Sequence, residues 1–202
     1  DAKNLAFILP AGKYIGNSRY KDVFAASTTA DLTSFRNHWG AETSLDVELY
    51  RPVARYELVA KDVATFLNKL STGGLKGESF TARVKYSDYL PTGYNLWDDV
   101  PKNSLMYMEY KVAFERPADG TKELILGFDY VLTDAGETVS IPVELEILNE
   151  KNEVLARTAF RIPCERGKNT AVRGNFLTSD ANGGIGIDPD YDGDLEVDLG
   201  EL

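Results

Sequence analysis

Residues 141–162 read IPVELEILNEKNEVLARTAFRI, and the alternation of apolar and polar side chains in this stretch decides the fold class. Apolar residues occupy every second position from Ile141 to Ile147, and a second set runs from Val154 to Ile162 after the polar turn 149–152. Successive side chains of a strand point to opposite faces, so each run predicts a strand with one buried face. Two such runs around a short polar turn predict a β-hairpin.

Similar alternation lies on both sides of this hairpin. The further predicted strands are centred on Leu45–Leu49, Ala54–Leu58, Phe80–Tyr86, Leu105–Phe114, Leu124–Leu132 and Leu195–Leu199. No apolar run reaches the roughly 18 residues that a membrane-spanning helix requires. The fold class predicted from these runs is all-β.

One segment has helical instead of strand spacing. Asp62 is a favourable N-cap and Gly73-Gly74 a favourable end. Between them, apolar residues recur with the i, i+3, i+4, i+7 pattern that places side chains on one helical face: Val63, Phe66, Leu67 and Leu70. We therefore expect one minor helix near residues 62–71.

The stretch Tyr86–Asn103 is rich in Pro, Gly, Asn and Asp and is long for a loop inside a compact domain. We interpret it as a linker or crossover between two parts of the chain. This interpretation predicts an N-terminal β-domain over residues 1–98, which contains the helix, and a C-terminal β-sandwich domain over residues 99–202.

Composition argues against several functions. The net charge is −10, from 32 acidic and 22 basic residues, and no basic cluster stands out, which disfavours nucleic acid as a partner. The single cysteine, Cys164, cannot form an internal disulfide and is interpreted as a buried small hydrophobe. With one histidine, His38, and no G-x-S-x-G motif, no convergent catalytic set emerges. We expect neither enzymatic activity nor a cofactor.

Two regions contain candidate ligand-binding residues. Aromatic side chains that could stack on sugars cluster in the 86–103 stretch, namely Tyr86, Tyr89, Tyr94 and Trp97. The alternative for these four is that they cover the gap between two domains. In the acidic tail, Asp188, Asp190 and Asp192 alternate as at the start of a calcium loop, but Pro189 interrupts the pattern and Leu199 occupies the place of the bidentate Glu. We therefore expect an acidic β-turn there, with only a weak calcium candidate.

Several separated segments carry a resemblance to a known family. Residues 162–178 read IPCERGKNTAVRGNFLT and are followed by Ile187-Asp188-Pro189. Upstream, residues 51–58 read RPVARYEL, residues 89–95 read YLPTGYN and residues 128–132 read FDYVL. Taken in order, these segments resemble Bacteroidales fimbrillin-like proteins, which are surface lipoproteins that form, anchor or tip type V pili. The resemblance spans about Arg51–Leu199.

The resemblance implies two β-sandwich parts of transthyretin-like type, the first of them truncated, processed or short, because only 50 residues precede Arg51. It also implies an extracellular or outer-membrane location within a fimbrium, and a mature form that is lipid-anchored. The implied partners are other pilus subunits or further copies of the chain, bound by strand addition, or a surface protein or glycan of a host or bacterium. Stalk, anchor and tip roles all stay open.

The tail supplies the candidate for strand addition. Apolar residues alternate with Glu196 and Asp198 at three positions, Leu195, Val197 and Leu199. Such a strand can be donated to another subunit, where main-chain hydrogen bonds provide affinity, or it can close the sheet of its own domain. The main hypothesis is a structural or adhesion protein of the cell surface that works by strand-mediated assembly or partner binding. The alternative is a surface glycan-binding module that uses the four aromatic residues.

Overall fold

The computed structural model describes residues 5–6, 13–38, 40–178, 191–192 and 194–198, with side chains for residues 13–38 and 40–178. Within those residues the elements are β1 (Leu5–Ala6), β2 (Val53–Ala60), α1 (Val63–Ser71), β3 (Ser79–Tyr86), β4 (Leu90–Asn95), β5 (Val100–Leu105), β6 (Glu109–Glu115), β7 (Leu124–Leu132), β8 (Thr138–Asn149), β9 (Val154–Glu165), β10 (Asn169–Gly174), β11 (Tyr191–Asp192) and β12 (Asp194–Asp198). Two short 3₁₀ helices lie at Arg19–Lys21 and Thr33–Phe35. The predicted all-β class with one minor helix is confirmed.

The strands form three sheets, with the orders β11-β12-β10-β2-β7, β6-β3-β8-β9 and β1-β4-β5. The β8–β9 hairpin is present, and Ile141 pairs with Ile162 across it. Alternate residues of β3 are buried, from Phe80 to Tyr86, and they belong to one apolar core together with residues of β2, β8 and β9. Because side chains from the two larger sheets share this core, the fold is a β-sandwich.

Helix α1 covers one end of the core. Its buried residues are Val63, Phe66 and Leu67, and the Phe66 ring packs edge-on against Phe80 at a centroid distance of 5.1 Å. Burial of each such side chain contributes about 1.5–3 kcal/mol. The Asp62 side chain accepts hydrogen bonds from Leu177, which ties the start of the helix to the chain after β10. Among the described residues, no helix is long and apolar enough to cross a membrane.

The predicted division at residue 98 is not what the structure shows. Strand β2, from the predicted first part, pairs with β7 and β10 of the predicted second part. Strand β3 lies between β6 and β8 in the same way. Long-range pairing therefore joins both parts into a shared core, and the boundary falls within the turn between two strands, β4 and β5, that pair with each other.

The supposed linker is itself a β-hairpin. Leu90 pairs with Leu105 and Asn95 with Val100, so most of the stretch has strand partners. Its turn includes Asp99 at a φ of 59°, a left-handed conformation that Asp and Asn adopt more readily than most residues. The residues that suggested a linker therefore belong to a hairpin: Pro91 and Gly93 lie in β4, Pro101 and Asn103 lie in β5, and Asp98 and Asp99 lie in the turn.

Two strand predictions were wrong. Residues 45–49 form no strand, and Leu45, Val47 and Leu49 are exposed, because alternation buries a face only when a partner strand is present. The predicted strand Leu105–Phe114 is interrupted, since β5 ends at Leu105 and β6 begins at Glu109. Tyr107 lies between them at a φ of 59°.

Candidate functional site

A cluster of polar side chains lies inside the apolar core. It contains one carboxylate, one amine and four phenols, and we call it the tyrosine cluster: Tyr14, Lys21, Tyr56, Tyr86, Tyr110 and Asp129. Asp129 has an exposed fraction of 0% and Lys21 of 2%. Charged residues are rarely buried to this degree unless they are paired.

Asp129 is the centre of the cluster. Its Oδ2 accepts hydrogen bonds from the hydroxyls of Tyr14, at 2.6 Å, and Tyr86, at 2.7 Å. Its Oδ1 accepts the backbone N–H of Tyr130 at 2.8 Å and forms an ion pair with Lys21 Nζ. Lys21 Nζ also donates to the Tyr14 hydroxyl at 2.5 Å, so Tyr14 bridges the amine and the carboxylate.

The remaining phenols extend the network. The hydroxyl of Tyr56 lies 2.6 Å from that of Tyr86 and 3.2 Å from that of Tyr110. Among the described residues, the single buried side-chain polar atom without a hydrogen-bond partner is Thr133 Oγ1, which lies outside this cluster. The tyrosine cluster is therefore internally satisfied, as a buried polar network must be to avoid a large desolvation penalty.

The local sequence of β7 explains why an aspartate points into the core. Leu58 of β2 pairs with Gly127, and Val59 pairs with Ile125, so Leu126 is an extra residue of β7 at a bulge. A bulge changes which side chains face inward. A Cβ on Gly127 would lie 3.1 Å from Val112 Cγ2, so the glycine allows β7 to pack closely there.

Lys21 reaches Asp129 from the segment formed by residues 13–25, which we call the N-terminal segment. Ser18 caps the 3₁₀ helix that ends at Lys21, by accepting the N–H of Tyr20. Asn17 fixes the segment to β7, since its N–H donates to the Phe128 carbonyl and its Oδ1 accepts the Phe128 N–H. Gly16 lies against the Tyr110 ring, where an added Cβ would be 2.3 Å from ring atoms.

Burial sets the protonation chemistry of the cluster. It raises the pKa of Tyr14, Tyr56 and Tyr86 well above the ordinary value, so these phenols stay neutral hydrogen-bond donors. Burial lowers the pKa of Lys21, an effect that the neighbouring carboxylate of Asp129 opposes. Burial also raises the pKa of the Cys164 thiol to about 12, which makes this cysteine an inert core residue at neutral pH.

A second cluster fixes the β4–β5 hairpin to the sandwich, and we call it the Asp99 cluster. The hydroxyls of Tyr50 and Tyr94 each donate to Asp99 Oδ1 at 2.5 Å. Arg166 Nη1 donates to Asp99 Oδ2 at 2.7 Å, and its Nε donates to the Thr133 carbonyl at 3.3 Å. Burial would raise the pKa of Asp99, but these donors lower it, so the carboxylate is charged at neutral pH.

A third carboxylate, Glu146, is covered on the outer face of the β6-β3-β8-β9 sheet. Its exposed fraction is 0%, because partly exposed side chains such as Arg157 cover it. Lys85 and Arg157 contact it at 2.9 Å and 2.6 Å, and Arg83 forms a further ion pair with it. Burial would raise its pKa, but hydrogen bonds from the three cations outweigh burial and lower the pKa to about 2.

The structure separates the four aromatic residues predicted to bind a ligand. Tyr86 is buried in the tyrosine cluster and Tyr94 in the Asp99 cluster. Tyr89 and Trp97 are 61% and 75% exposed, but they lie at opposite ends of β4. A strand rises about 3.3 Å per residue, so the two ends of the six-residue β4 are roughly 17 Å apart. The four residues do not form one platform for a sugar.

The structure places part of the predicted tail. Strand β12 contains Leu195 and Val197, whose register partners on β10 are Thr170 and Val172 in a parallel pairing. Leu199 lies outside the described residues, as do the calcium candidates Asp188 and Asp190. Asp192 belongs to β11 and pairs with Asp194. Within the described part of the chain, no group of three or more His, Cys, Asp or Glu residues is arranged to hold a metal ion.

Sequence reasoning missed most of the tyrosine cluster. Tyr14 and Lys21 carry no motif, and Tyr14 lies 115 positions from its partner Asp129. One signal was available, since Asp129 is the only charged residue in the apolar run 124–132. An ionisable residue inside a strand that is buried on both faces requires a partner.

These features define a β-sandwich in which the buried carboxylates Asp129 and Glu146 are paired with cations of the same chain. The chain belongs to a family of unknown function, DUF6562, whose model matches residues 1–200. No curated protein matches the sequence. A solved structure from Bacteroides ovatus, described as a "putative cell adhesion protein", is 14% identical with a TM-score of 0.31. That similarity covers 62% of this chain and 41% of the solved chain, less than half of its length. The resemblance to fimbrillin-like proteins stays a prediction.

Proposed function

We propose that this protein is a structural or adhesion component of the cell surface that assembles through β-strand pairing and does not turn over a substrate. The proposal places it outside the cell or at the outer-membrane surface, in a fimbrium, with further copies or related subunits as partners. The observation that carries the proposal is the parallel pairing of β12 with β10.

Exchange of β12 between two copies of the chain would form the same pairing with β10. Strand β10 pairs with β2 along residues 169–174 and with β12 along residues 170–173. If β12 left, main-chain groups on that side of β10 would lose their partners. Unpaired strand edges favour the addition of another strand, because buried backbone groups require hydrogen bonds.

A strand from a second copy could satisfy the same groups. Donated and self-paired strands make the same main-chain hydrogen bonds. The free energies of the two states therefore differ through the entropy of association between chains, and not through new contacts. Exchange of an identical element between copies is a low-cost route to assembly. We therefore propose that β12 closes its own sheet in a free chain and is donated in an assembly.

The register between the strands provides a direct test. Arg173 of β10 and Asp198 of β12 are register partners, and Arg173 is partly exposed. Neighbouring strands lie about 4.8 Å apart, within the Cα separation that a disulfide tolerates. In a Cys164→Ala background, the pair Arg173→Cys and Asp198→Cys should form a disulfide under mild oxidation. Whether that disulfide lies within or between chains can be read from a non-reducing gel.

Mixing two single-cysteine chains isolates strand donation. One chain carries Arg173→Cys and the other carries Asp198→Cys, so a disulfide between β10 and β12 can form only between chains. We expect heterodimers that increase with protein concentration. In a matched control, the chain with Arg173→Cys is exchanged for one with Lys151→Cys, in the β8–β9 turn. This mixture should form no disulfide-linked heterodimer. If the mixed chains never cross-link while the two-cysteine chain closes on itself, the proposal of assembly through β12 is wrong.

A further inference from the structure

The Lys21–Asp129 pair has the geometry of a site for covalent self-modification. Lys21 Nζ is in direct contact with Asp129 Oδ1, and both side chains are essentially inaccessible to water. We propose that the Lys21 amine and the Asp129 carboxyl condense to an intramolecular isopeptide bond. The bond would join the N-terminal segment covalently to β7, and it does not depend on the strand assembly proposed above.

Burial favours the neutral forms that the reaction requires. A buried ion pair has a large desolvation penalty that its mutual attraction offsets only in part. Transfer of one proton from the amine to the carboxylate gives a nucleophilic amine and an uncharged acid. Burial lowers the pKa of Lys21, which favours its nucleophilic amine form, and the same burial limits the water available for hydrolysis.

The contacts of Asp129 divide its two oxygens between distinct roles. The Tyr130 N–H lies 2.8 Å from Oδ1, where negative charge develops when Nζ attacks Cγ. The hydroxyls of Tyr14 and Tyr86 both donate to Oδ2, which makes Oδ2 the oxygen that departs. Because the amine and the carboxyl are held in contact, their reaction is effectively unimolecular, which lowers its entropic barrier.

Tyr14 supplies a path for the proton. Its hydroxyl lies 2.5 Å from Lys21 Nζ and 2.6 Å from Asp129 Oδ2, so it can accept a proton from Nζ while it delivers its own to Oδ2. The Nζ–Cγ bond forms, the Cγ–Oδ2 bond breaks, and Oδ2 leaves as one water molecule with the acid proton and the relayed proton. The reaction needs no oxidant and no cofactor.

The product loses the two hydrogen bonds to Oδ2 but retains the one to Oδ1, and the Tyr86 hydroxyl still lies 2.6 Å from that of Tyr56. Oδ1 becomes the amide oxygen and still accepts the Tyr130 N–H. The remaining proton on Nζ still points to the Tyr14 hydroxyl. The core thereby exchanges two buried charges for one neutral amide, which is consistent with the low dielectric around it.

The mass of the intact, denatured protein tests the proposal. We expect the full chain to be lighter than its sequence mass by one water molecule, and digestion should give a branched peptide that joins Lys21 to Asp129. The Lys21→Met and Asp129→Ala variants should have their full sequence masses. Lys13→Met, which removes an exposed lysine of the same segment, should keep the loss. Tyr14→Phe keeps the amine and the carboxyl but removes the relay, and it should accumulate the uncondensed mass.

Two outcomes would overturn the bond, and a third would overturn the role of Tyr14. A wild-type chain at its full sequence mass contains no such bond. A loss of water that persists in Lys21→Met comes from elsewhere, for example from a succinimide at Asp119-Gly120. Condensation of Tyr14→Phe to the wild-type extent would show that Tyr14 is not the relay.

Discussion

Asp129 and Glu146 are both fully buried carboxylates, yet they are buried in different ways. Asp129 lies in the core, with one cation and hydroxyl and backbone donors around it. Glu146 lies on the outer face of a sheet, beneath three cations that are themselves partly exposed. The difference teaches that equal burial does not mean equal dependence on a partner. The cation of Asp129 comes from the distant N-terminal segment, whereas the three cations of Glu146 come from its own strand neighbours, β3 and β9.

The largest effect should come from Asp129→Ala. This change removes the carboxylate that pairs with the buried Lys21 amine and that accepts hydrogen bonds from two tyrosine hydroxyls. Breaking a buried pair on one side destabilises proteins by about 3–5 kcal/mol, and loss of a cross-link would add to this. Urea unfolding followed by fluorescence measures the change. Asp119→Ala, in an exposed turn, is the control and should leave the free energy of unfolding nearly unchanged. An equally small effect for Asp129→Ala would remove the contrast with Glu146.

The second effect concerns the segment that delivers Lys21. In Gly16→Ala the new methyl group would collide with the Tyr110 ring, and overpacking of this kind destabilises by about 1–3 kcal/mol. Gly74→Ala is the matched control, because its Cβ would meet its nearest neighbour at 3.4 Å. We expect Gly16→Ala also to increase proteolysis of the N-terminal segment. Equal stability of the two variants would show that this segment packs differently from the structure.

The contrast between the two carboxylates also shows how much the sequence predicts. The β8–β9 hairpin was predictable because its alternation and its turn lie within one short stretch. The pairing of β2 with β7 and β10 was not, because partners that lie far apart in sequence leave no local signal. The two carboxylates show the same dependence on sequence separation. Strands β8 and β9 are consecutive, so the sequence places Glu146 and Arg157 opposite each other, whereas nothing in it brings Lys21 to Asp129.

A third prediction uses pH to test the environment of Glu146. Its pKa is lowered to about 2 in the folded state from an ordinary 4.5. A lowered carboxyl pKa stabilises the fold above the unfolded value, and the contribution is lost as pH falls from about 4.5 towards 2. The contribution should be about 1 kcal/mol, since solvent screens the partly exposed cations. Urea unfolding at pH 7 measures this contribution as the difference in the free energy of unfolding between wild type and Glu146→Gln. The difference should vanish near pH 2. A difference that does not change with pH would contradict the charged network.

The smallest effect should come from removing one cation of the Glu146 network. Lys85→Met eliminates contacts of 2.9 Å to both Glu144 and Glu146, but Arg83 and Arg157 still neutralise Glu146. Because Lys85 is partly exposed and its role is shared, we expect a change within about 0.5 kcal/mol. Lys21→Met is the matched comparison, since it removes the amine that pairs with Asp129 inside the core. If the two lysine variants lose equal stability, the contrast between a shared and an unshared partner fails. If Lys21→Met alone is strongly destabilised, the Lys21–Asp129 contact is what holds the N-terminal segment to the core.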